Sequence, residues 1–477
     1  LNLLKLYDYQ QKIYDQVFEL WRSYQYILVQ SSTGSGKTPI SAAVVRSLYG
    51  VPTNRILYIA HRDKLIEQGH RHLSEEMPDG TPIGLVQSGK TVNQSSSCRL
   101  HVGSIQSLPN RHELLGGITH VIIDESHHAQ APTYRQIKNY WPRAKILGVT
   151  ATPVDGLSQV FERIILGPST KWLIDNGRLS KYKYYAPTSG KMNLEDITLS
   201  HGEYSLDDLE QRNDSVQLSG QLVDSYLKYA EGGRGIGFAI NVEHSKAYAD
   251  RYSEAGIPAI HLDANTPTEQ RFEAFEKLKN NELKMIWNVG LLGEGVDIPA
   301  LEIMQNAQPT TSLAKYLQRC GRALRAAPGK EYGIMIDHTD DWLTHGLPCR
   351  DRQWGLDGVI KQKREKSEAV KKEDGEIVER KKAAELAERV VEEATVELVD
   401  IMASSQDPAK IWWDNKLAEL LDICRLKNYK KAWVSYRLMD ENAPLEVWEM
   451  AADKLEYQKG WAYHQHKKMT QLLAGVV

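Results

Sequence analysis

Short apolar runs punctuate the first two-thirds of the chain, separated by longer stretches whose apolar residues recur at helical spacing. In the first part Ile27-Leu28-Val29, residues 56–60, Leu100-His101-Val102, Val121-Ile122-Ile123 and residues 146–149 predict buried strands. A second series follows at residues 235–240, Ala259-Ile260-His261, residues 285–289, Ile303-Met304 and Ile334-Met335-Ile336. Strands alternating with helices predict an α/β fold of parallel sheets covered on both faces, with ligands at the C-terminal strand ends. Within the second series one helix start is well marked. Thr266 and Glu269 have capping-box spacing, Pro267 takes the first helical position, and Phe272, Phe275 and Leu278 form an apolar stripe.

Between the two series, residues 188–219 are polar and aperiodic, and predict a connector with some helix. From about residue 361 to 397 the pattern dissolves into a mixed run of Lys, Arg and Glu with Val, Ala and Leu between. That run predicts a solvated helix stitched by neighbouring ion pairs and interrupted at Gly375. Beyond residue 403 the composition shifts again. Trp412, Trp413, Trp433, Trp448 and Trp461, out of 11 tryptophans in all, suffice for a small helical core. The 477 residues suit about three domains. The predicted units are residues 1–187, a connector at 188–219, a second domain at 220–345, a charged helical linker at 346–403 and a Trp-rich helical domain at 404–477.

Composition narrows the class. Apolar content of 41% and charged content of 25% are those of a soluble globular protein. No apolar run approaches the roughly 18 residues needed to span a bilayer, and no charged-then-apolar leader opens the chain, so no membrane partner is expected. A net charge of −3 gives no bulk attraction to nucleic acid, so any such surface must be local. Cys98, Cys320, Cys349 and Cys424 are scattered, which predicts neither a zinc module nor a disulfide framework and fits a reducing cytoplasm. His127 and His128 would point to opposite faces of a strand and read as polar loop residues rather than as metal ligands.

The chemistry lies at two predicted strand ends. Ser31-Ser32-Thr33-Gly34-Ser35-Gly36-Lys37-Thr38 joins the first strand to a helix. A glycine-rich loop there aims backbone N–H groups at phosphate, with the helix dipole behind them. Thr33, Gly34, Ser35 and Gly36 would cradle the phosphates, Lys37 would reach the β- and γ-phosphates, and Thr38 would ligate Mg²⁺. Asp124-Glu125-Ser126-His127 ends the Val121-Ile122-Ile123 strand. Asp124 is there the second Mg²⁺ ligand, and Glu125 orients or deprotonates the attacking water. ATP and Mg²⁺ are therefore the expected cofactors.

In order along the chain these motifs resemble those of superfamily 2 helicases and translocases of the DExH group, most closely RadD-like and phage-encoded DNA motors. The resemblance runs from about Leu4 to Asp337 and implies two tandem RecA-like parallel-sheet domains with a mainly helical C-terminal extension. It implies that Gln10 reads adenine and that Thr150-Ala151-Thr152-Pro153 links hydrolysis to domain closure. Ala60-His61-Arg62 and Gly103-Ser104-Ile105-Gln106 match strand-tracking segments, which makes His61, Arg62, Ser104 and Gln106 nucleic-acid contacts. Residues 290–299 match a motif touching nucleotide and nucleic acid, through Gly295 and Asp297. Gln318-Arg319-Cys320-Gly321-Arg322-Ala323-Leu324-Arg325 matches the arginine-finger motif, so Gln318, Arg322 and Arg325 join Lys37, Asp124, Glu125 and His127 in the expected catalytic set. A guanidinium from the far domain would stabilise the charge that spreads over the γ-phosphoryl oxygens and make hydrolysis depend on closure. The stretch 288–292 lacks the threonine often found there, and the paired cysteines that follow RadD-type motors are missing.

The tail combines aromatic and basic residues, including Lys430, Lys431 and Trp461. That texture suits stacking on exposed bases with lysines on phosphate, and equally a helical core with basic residues outside. The function implied is an ATP-dependent helicase or translocase on single-stranded, forked or branched DNA in a bacterial or phage-infected cell, alongside replication or recombination proteins. An RNA-directed motor, a duplex translocase of a restriction-like assembly and a nucleotide-gated binding module are the rivals.

Overall fold

The computed structural model describes residues 5–61, 63–87, 98–130, 132–187, 197–200, 202–212, 215–230, 232–291, 301–339, 341–360, 398–400, 417, 448 and 451–452. Arg62, Gly295, Asp297, the run 361–397 with Gly375, and Lys430, Lys431, Trp412, Trp413, Trp433 and Trp461 lie outside them.

The first domain opens with α1 (Asp8–Leu20) and builds a seven-stranded sheet from β1 (Tyr26–Gln30), β2 (Ile56–Ala60), β3 (Ile83–Val86), β4 (Leu100–Ser104), β5 (His120–Ile123), β6 (Lys145–Thr150) and β7 (Arg163–Leu166). The strand order is β3-β4-β2-β5-β6-β1-β7, and every pairing is parallel. The helices α2 (Lys37–Tyr49), α3 (Asp63–Glu76) and α4 (Pro132–Tyr140) are the crossovers. Central strands buried on both faces need continuous apolar runs. Ile27, Val29, Ile56, Tyr58 and Ile122 face one core, while Leu28, Leu57, Ile59, Val121 and Ile123 face the other.

After α5 (Thr170–Asp175) the chain enters a second sheet through β8 (Lys181–Pro187). A short ribbon, β9 (Leu199–Ser200) with β10 (Glu203–Tyr204), then α6 (Leu206–Arg212) and α7 (Ser215–Tyr229) lead to β11 (Gly235–Phe238), α8 (Val242–Glu254), β12 (Ala259–Leu262), α9 (Thr268–Lys279), β13 (Met285–Asn288), β14 (Ile303–Asn306), α10 (Leu313–Leu324), β15 (Tyr332–Asp337) and α11 (Asp341–His345). The hairpin of β16 (Trp354–Gly355) and β17 (Gly358–Val359) follows, and β18 (Leu398–Asp400) completes the second sheet in the order β12-β13-β11-β14-β15-β8-β18. Only β18 runs antiparallel to its neighbour.

Four expectations are corrected. A boundary at 187 cuts off β8, which pairs with β15 of the second sheet, and Leu173 and Leu179 already pack in that domain's core. The segment 346–403 is not wholly helical, because it contributes β16, β17 and β18. Thr266 closes a turn with Asp263 instead of capping a helix: Asp263 Oδ1 accepts from the Asn265 and Thr266 N–H groups at 2.9 Å each, and α9 begins without a side-chain cap. Phe275 and Leu278 are buried, but Phe272 is 65% exposed, since the inward arc of α9 is too narrow to hold all three. In the tail Leu417, Trp448 and Ala451 are helical and buried.

Candidate functional site

The glycine-rich loop leaves β1 after Gln30, whose neighbour Ser31 extends the sheet by donating its N–H to Thr150 O at 3.0 Å. Gly34 and Gly36 have φ of 80° and 81°, a region that L side chains enter only at a cost, so the loop curls as it does because glycines stand there. Ser31 is buried, and its hydroxyl donates to Ser35 Oγ at 2.7 Å, tying the loop across its base. Gly167 makes room for it, since a Cβ there would stand 2.5 Å from Ser31 Oγ. The half-buried Lys37 donates its ammonium to Ser31 O at 3.2 Å. Burial holds its pKa below the ordinary lysine value, against the raising influence of Glu125 and Asp124, and the Arg325 guanidinium adds to the lowering. Gln10 braces the loop: its Nε2 donates to Ser35 O at 3.1 Å and its Oε1 accepts from Tyr7 N–H at 2.9 Å. Both ends of that amide are therefore occupied by protein.

Opposite the loop, Asp124 ends β5. Its Oδ2 accepts from Tyr58 OH at 2.8 Å and its Oδ1 from the Glu125 N–H at 2.9 Å. Burial and the neighbouring Glu125 raise its pKa above the usual carboxylate range, while those hydrogen bonds and Lys37 oppose the rise. Glu125 itself has φ of 45°, an uncommon conformation for a non-glycine residue of the kind that concentrates at functional sites. His127 Nδ1 lies 3.4 Å from Glu125 Oε2 and 3.3 Å from Thr150 Oγ1, and Thr150 Oγ1 accepts from Thr152 N–H at 3.2 Å. One imidazole thus ties the acidic strand end to the loop after β6.

His127 and His128 sit on a 3-10 turn, Ser126–Gln130, and not on a strand, so their rings lie side by side with centroids 4.2 Å apart. His128 also stacks on His61 at 4.3 Å. Gln106 Nε2 donates to His61 O at 3.1 Å, and Ser104 Oγ donates to Gln106 Oε1. The structure therefore gathers His61, Ser104 and Gln106 in one cluster that abuts His127. His128 was missing from the expected set, and the only signal for it was the His-His doublet.

The second domain brings α10 to this place. Ser312 caps the helix by accepting from Lys315 N–H at 3.3 Å. Gly321 faces the phosphate loop so closely that a Cβ would overlap Thr33 Cγ2 and stand 2.9 Å from Thr33 Cβ. Gln318 and Arg322 are buried on this helix, and Arg325 ends it, its backbone bridged to Leu179. Arg319, also absent from the expected set, is a brace. Its guanidinium donates to Asn306 Oδ1 at 3.1 Å and to Gln308 Oε1 at 2.6 Å, fixing α10 to the end of β14. A cavity of about 100 Å³ remains between the domains, lined by Thr33, Thr152, Leu317, Leu324, Arg352 and Trp354 among others.

Residues 3–155 match the family model described as type III restriction enzyme, res subunit, and residues 219–327 match the helicase conserved C-terminal domain. A 51.5 kDa protein of a Lactococcus phage is 32% identical over 346 residues, covering 71% of this chain and 72% of the phage protein. The chain belongs to the superfamily 2 helicases. Saccharomyces cerevisiae has a relative of this helicase assigned as the ATP-dependent helicase IRC3, 26% identical across 70% of the chain and 51% of the yeast protein, so the chain spans about half of that relative's length. Among solved structures, the ATP-dependent type ISP restriction-modification enzyme LlaBIII bound to DNA has a TM-score of 0.56 at 17% identity, covering 70% of this chain and 28% of that one. That likeness is one of fold, two tandem RecA-like domains. The helicase uses ATP and acts on nucleic acid. Among the described residues no helix is long and apolar enough to cross a membrane.

Proposed function

We propose that this helicase is directed to DNA and couples ATP hydrolysis to movement on, or unwinding of, forked or branched DNA in replication, recombination or repair. The observation that carries the coupling is the seat of α10 on the phosphate loop, Gly321 against Thr33, which makes the ATP site a property of both domains at once. In this reading Gly34, Ser35 and Gly36 cradle the phosphates, Lys37 neutralises them, and Arg322 and Arg325 act on the γ-phosphoryl group from the opposite side. Glu125 orients the water, with His127 holding its carboxylate. The donor set fits a divalent cation: Asp124 and Glu125 place two carboxylates at one strand end, with the Lys37 ammonium acting on both. Asp124 and Thr38 would hold Mg²⁺, an ion that takes oxygen ligands and bridges phosphate oxygens.

The choice of DNA rests on the match of residues 3–155 to a restriction-enzyme family and on the fold shared with an enzyme seen bound to DNA. His61, Ser104 and Gln106 offer polar groups for backbone contact, which positions a strand without reading its sequence. Salt dependence should therefore be strong and sequence preference weak. The test is ATPase rate and strand separation with single-stranded, duplex, forked and four-way DNA and with RNA of equal length. Stimulation by RNA over DNA would refute the DNA assignment, and stimulation by duplex without unwinding of forks would favour a duplex translocase.

A further inference from the structure

The segment after α11 belongs to the second domain at its base and to the first at its tip. At the base Arg352 donates to His345 O at 2.8 Å and to Leu347 O at 3.2 Å, and Leu347 is buried in the second domain's core. The β16–β17 hairpin then projects across the cleft, with Trp354 paired to Val359 and Gly355 to Gly358. At its tip three independent features engage the first domain. Asp357 Oδ1 accepts from Gly156 N–H at 3.1 Å and from Ser158 N–H at 2.9 Å. Leu356 packs against the first domain's core, the cluster that includes Leu157 and Phe161. Gly358, at φ 99°, lies so close that a Cβ would be 3.3 Å from Pro153 O. The Asp357 and Gly358 contacts fall on the loop that begins with Thr150 and Thr152, the loop tied to His127.

We propose that this hairpin is an interdomain clasp and that Asp357 is its positioning residue, holding the loop after Thr152 and biasing the two domains toward the closed arrangement. Its physical logic is preorganisation. ATP needs groups from both domains, so the apparent dissociation constant is the intrinsic one divided by the closed fraction already present. A clasp that adds to closure lowers the ATP concentration needed. It leaves the chemical step alone, because Asp357 touches neither carboxylate nor arginine of the site. Carboxylate-to-backbone hydrogen bonds suit such a device. They are charge-assisted yet exposed, strong enough to bias and weak enough to release.

The inference rests on ATP binding between the domains, and its test requires no nucleic acid, so it stands apart from the DNA assignment. In the full-length chain, Asp357→Ala removes the acceptor, Gly358→Val obstructs the tip by a separate route, and Asp357→Asn keeps one oxygen in place. Hydrogen exchange at the Gly156 and Ser158 amides reads the clasp directly, and steady-state ATP hydrolysis without nucleic acid reads its effect. Asp357→Ala and Gly358→Val should expose both amides and raise KM for ATP about fivefold or more, with kcat within about twofold. Asp357→Asn should stay close to the unmodified chain. Rapid exchange at both amides in the unmodified chain would overturn the clasp. So would an unchanged KM in Asp357→Ala, or a fall in kcat without a change in KM.

Discussion

Gly321→Ala isolates the dependence of turnover on interdomain fit. The added Cβ would overlap Thr33 Cγ2 and stand 2.9 Å from Thr33 Cβ. Rotating Thr33 can remove the first conflict but not the second, since Cβ is fixed to the loop backbone. Carbon atoms rest at about 3.5–4.0 Å, so α10 must retreat by roughly 0.5–1 Å. Arg322 and Arg325 ride on the same helix and its end, and displacements of about 1 Å in a reacting constellation cost up to about 100-fold. We expect kcat at saturating ATP to fall roughly 10- to 100-fold. Stability should move the other way, because alanine inside a helix is favoured over glycine by about 0.5–1 kcal/mol. A thermal melt that is unchanged or raised, beside a collapsed turnover, is the expected pair of results. Thr33→Gly removes both opposing atoms, so a double-mutant cycle should show Gly321→Ala costing far less in that background. A kcat within about threefold of the unmodified chain, or a loss that Thr33→Gly does not relieve, refutes the reasoning.

The remaining predictions concern the charges. Lys37→Ala should abolish ATP turnover while the melting temperature stays nearly unchanged, because the ammonium's bonds in the fold are only to carbonyls of its own loop; circular dichroism melts with a phosphate-release assay check both. Glu125→Gln should bind ATP and hydrolyse it at least about 100-fold more slowly, seen as retained nucleotide in a filter assay, and normal turnover would move the water-orienting role elsewhere. Burial holds His338 down to about 3, below its unfolded value near 6.5, so it stays neutral in the fold while the unfolded chain takes up a proton, and it removes stability as pH falls below 6.5. Asp341, raised to about 8 by burial and then by Asp337, acts oppositely: the unfolded chain loses its proton first, so its contribution grows as pH falls from 8 toward 4. The two nearly cancel in the unmodified chain, and His338→Gln should gain roughly 1.5 kcal/mol relative to it between pH 6.5 and 5 in denaturant titrations.

The strands of both sheets were legible where burial on two faces forces an unbroken apolar run, as in Ile27-Leu28-Val29 and Val121-Ile122-Ile123. The edge strands β3 and β7 escaped, because one side of each is solvated and Arg163 and Leu166 stay exposed. The phosphate loop and the acidic strand end were legible because their chemistry is local in sequence. What the sequence could not reveal is long-range. Gln10 and the phosphate loop lie 25 residues apart, and Asp357 meets Ser158 across 199. Such contacts depend on how elements pack within a domain and across the domain boundary, and they carry no periodic signature. Phe272 shows the converse limit: an apolar residue three positions from Phe275 remains exposed because it falls outside the inward arc of α9, held by Ala274, Phe275 and Leu278.

The two sheets share one build and differ at the strand ends where the candidate site lies. Their central strands run β2-β5-β6-β1 and β11-β14-β15-β8, so β8 stands where β1 stands, yet the sequence after β8 carries no glycine-rich run. The acidic residues at the strand ends diverge in the same way. In the first domain burial and then Glu125 raise the Asp124 pKa, and the Lys37 ammonium opposes the rise. In the second, Asn306 Nδ2 donates to Asp337 Oδ1 at 3.2 Å, Thr339 Oγ1 at 3.1 Å and Asp341 Oδ2 at 2.9 Å, while Tyr184 OH donates to Asp337 Oδ2 at 2.8 Å. Burial raises both of these carboxyls, and the polar groups around them are matched within the protein. A fully matched buried network is rigid. Arg319 joins it through Asn306, so α10 is anchored to a stiff sheet edge before it reaches Thr33. The first strand-end cluster thus sets two carboxylates beside the Lys37 ammonium at the phosphate loop, whereas the second is matched within the protein and braces α10.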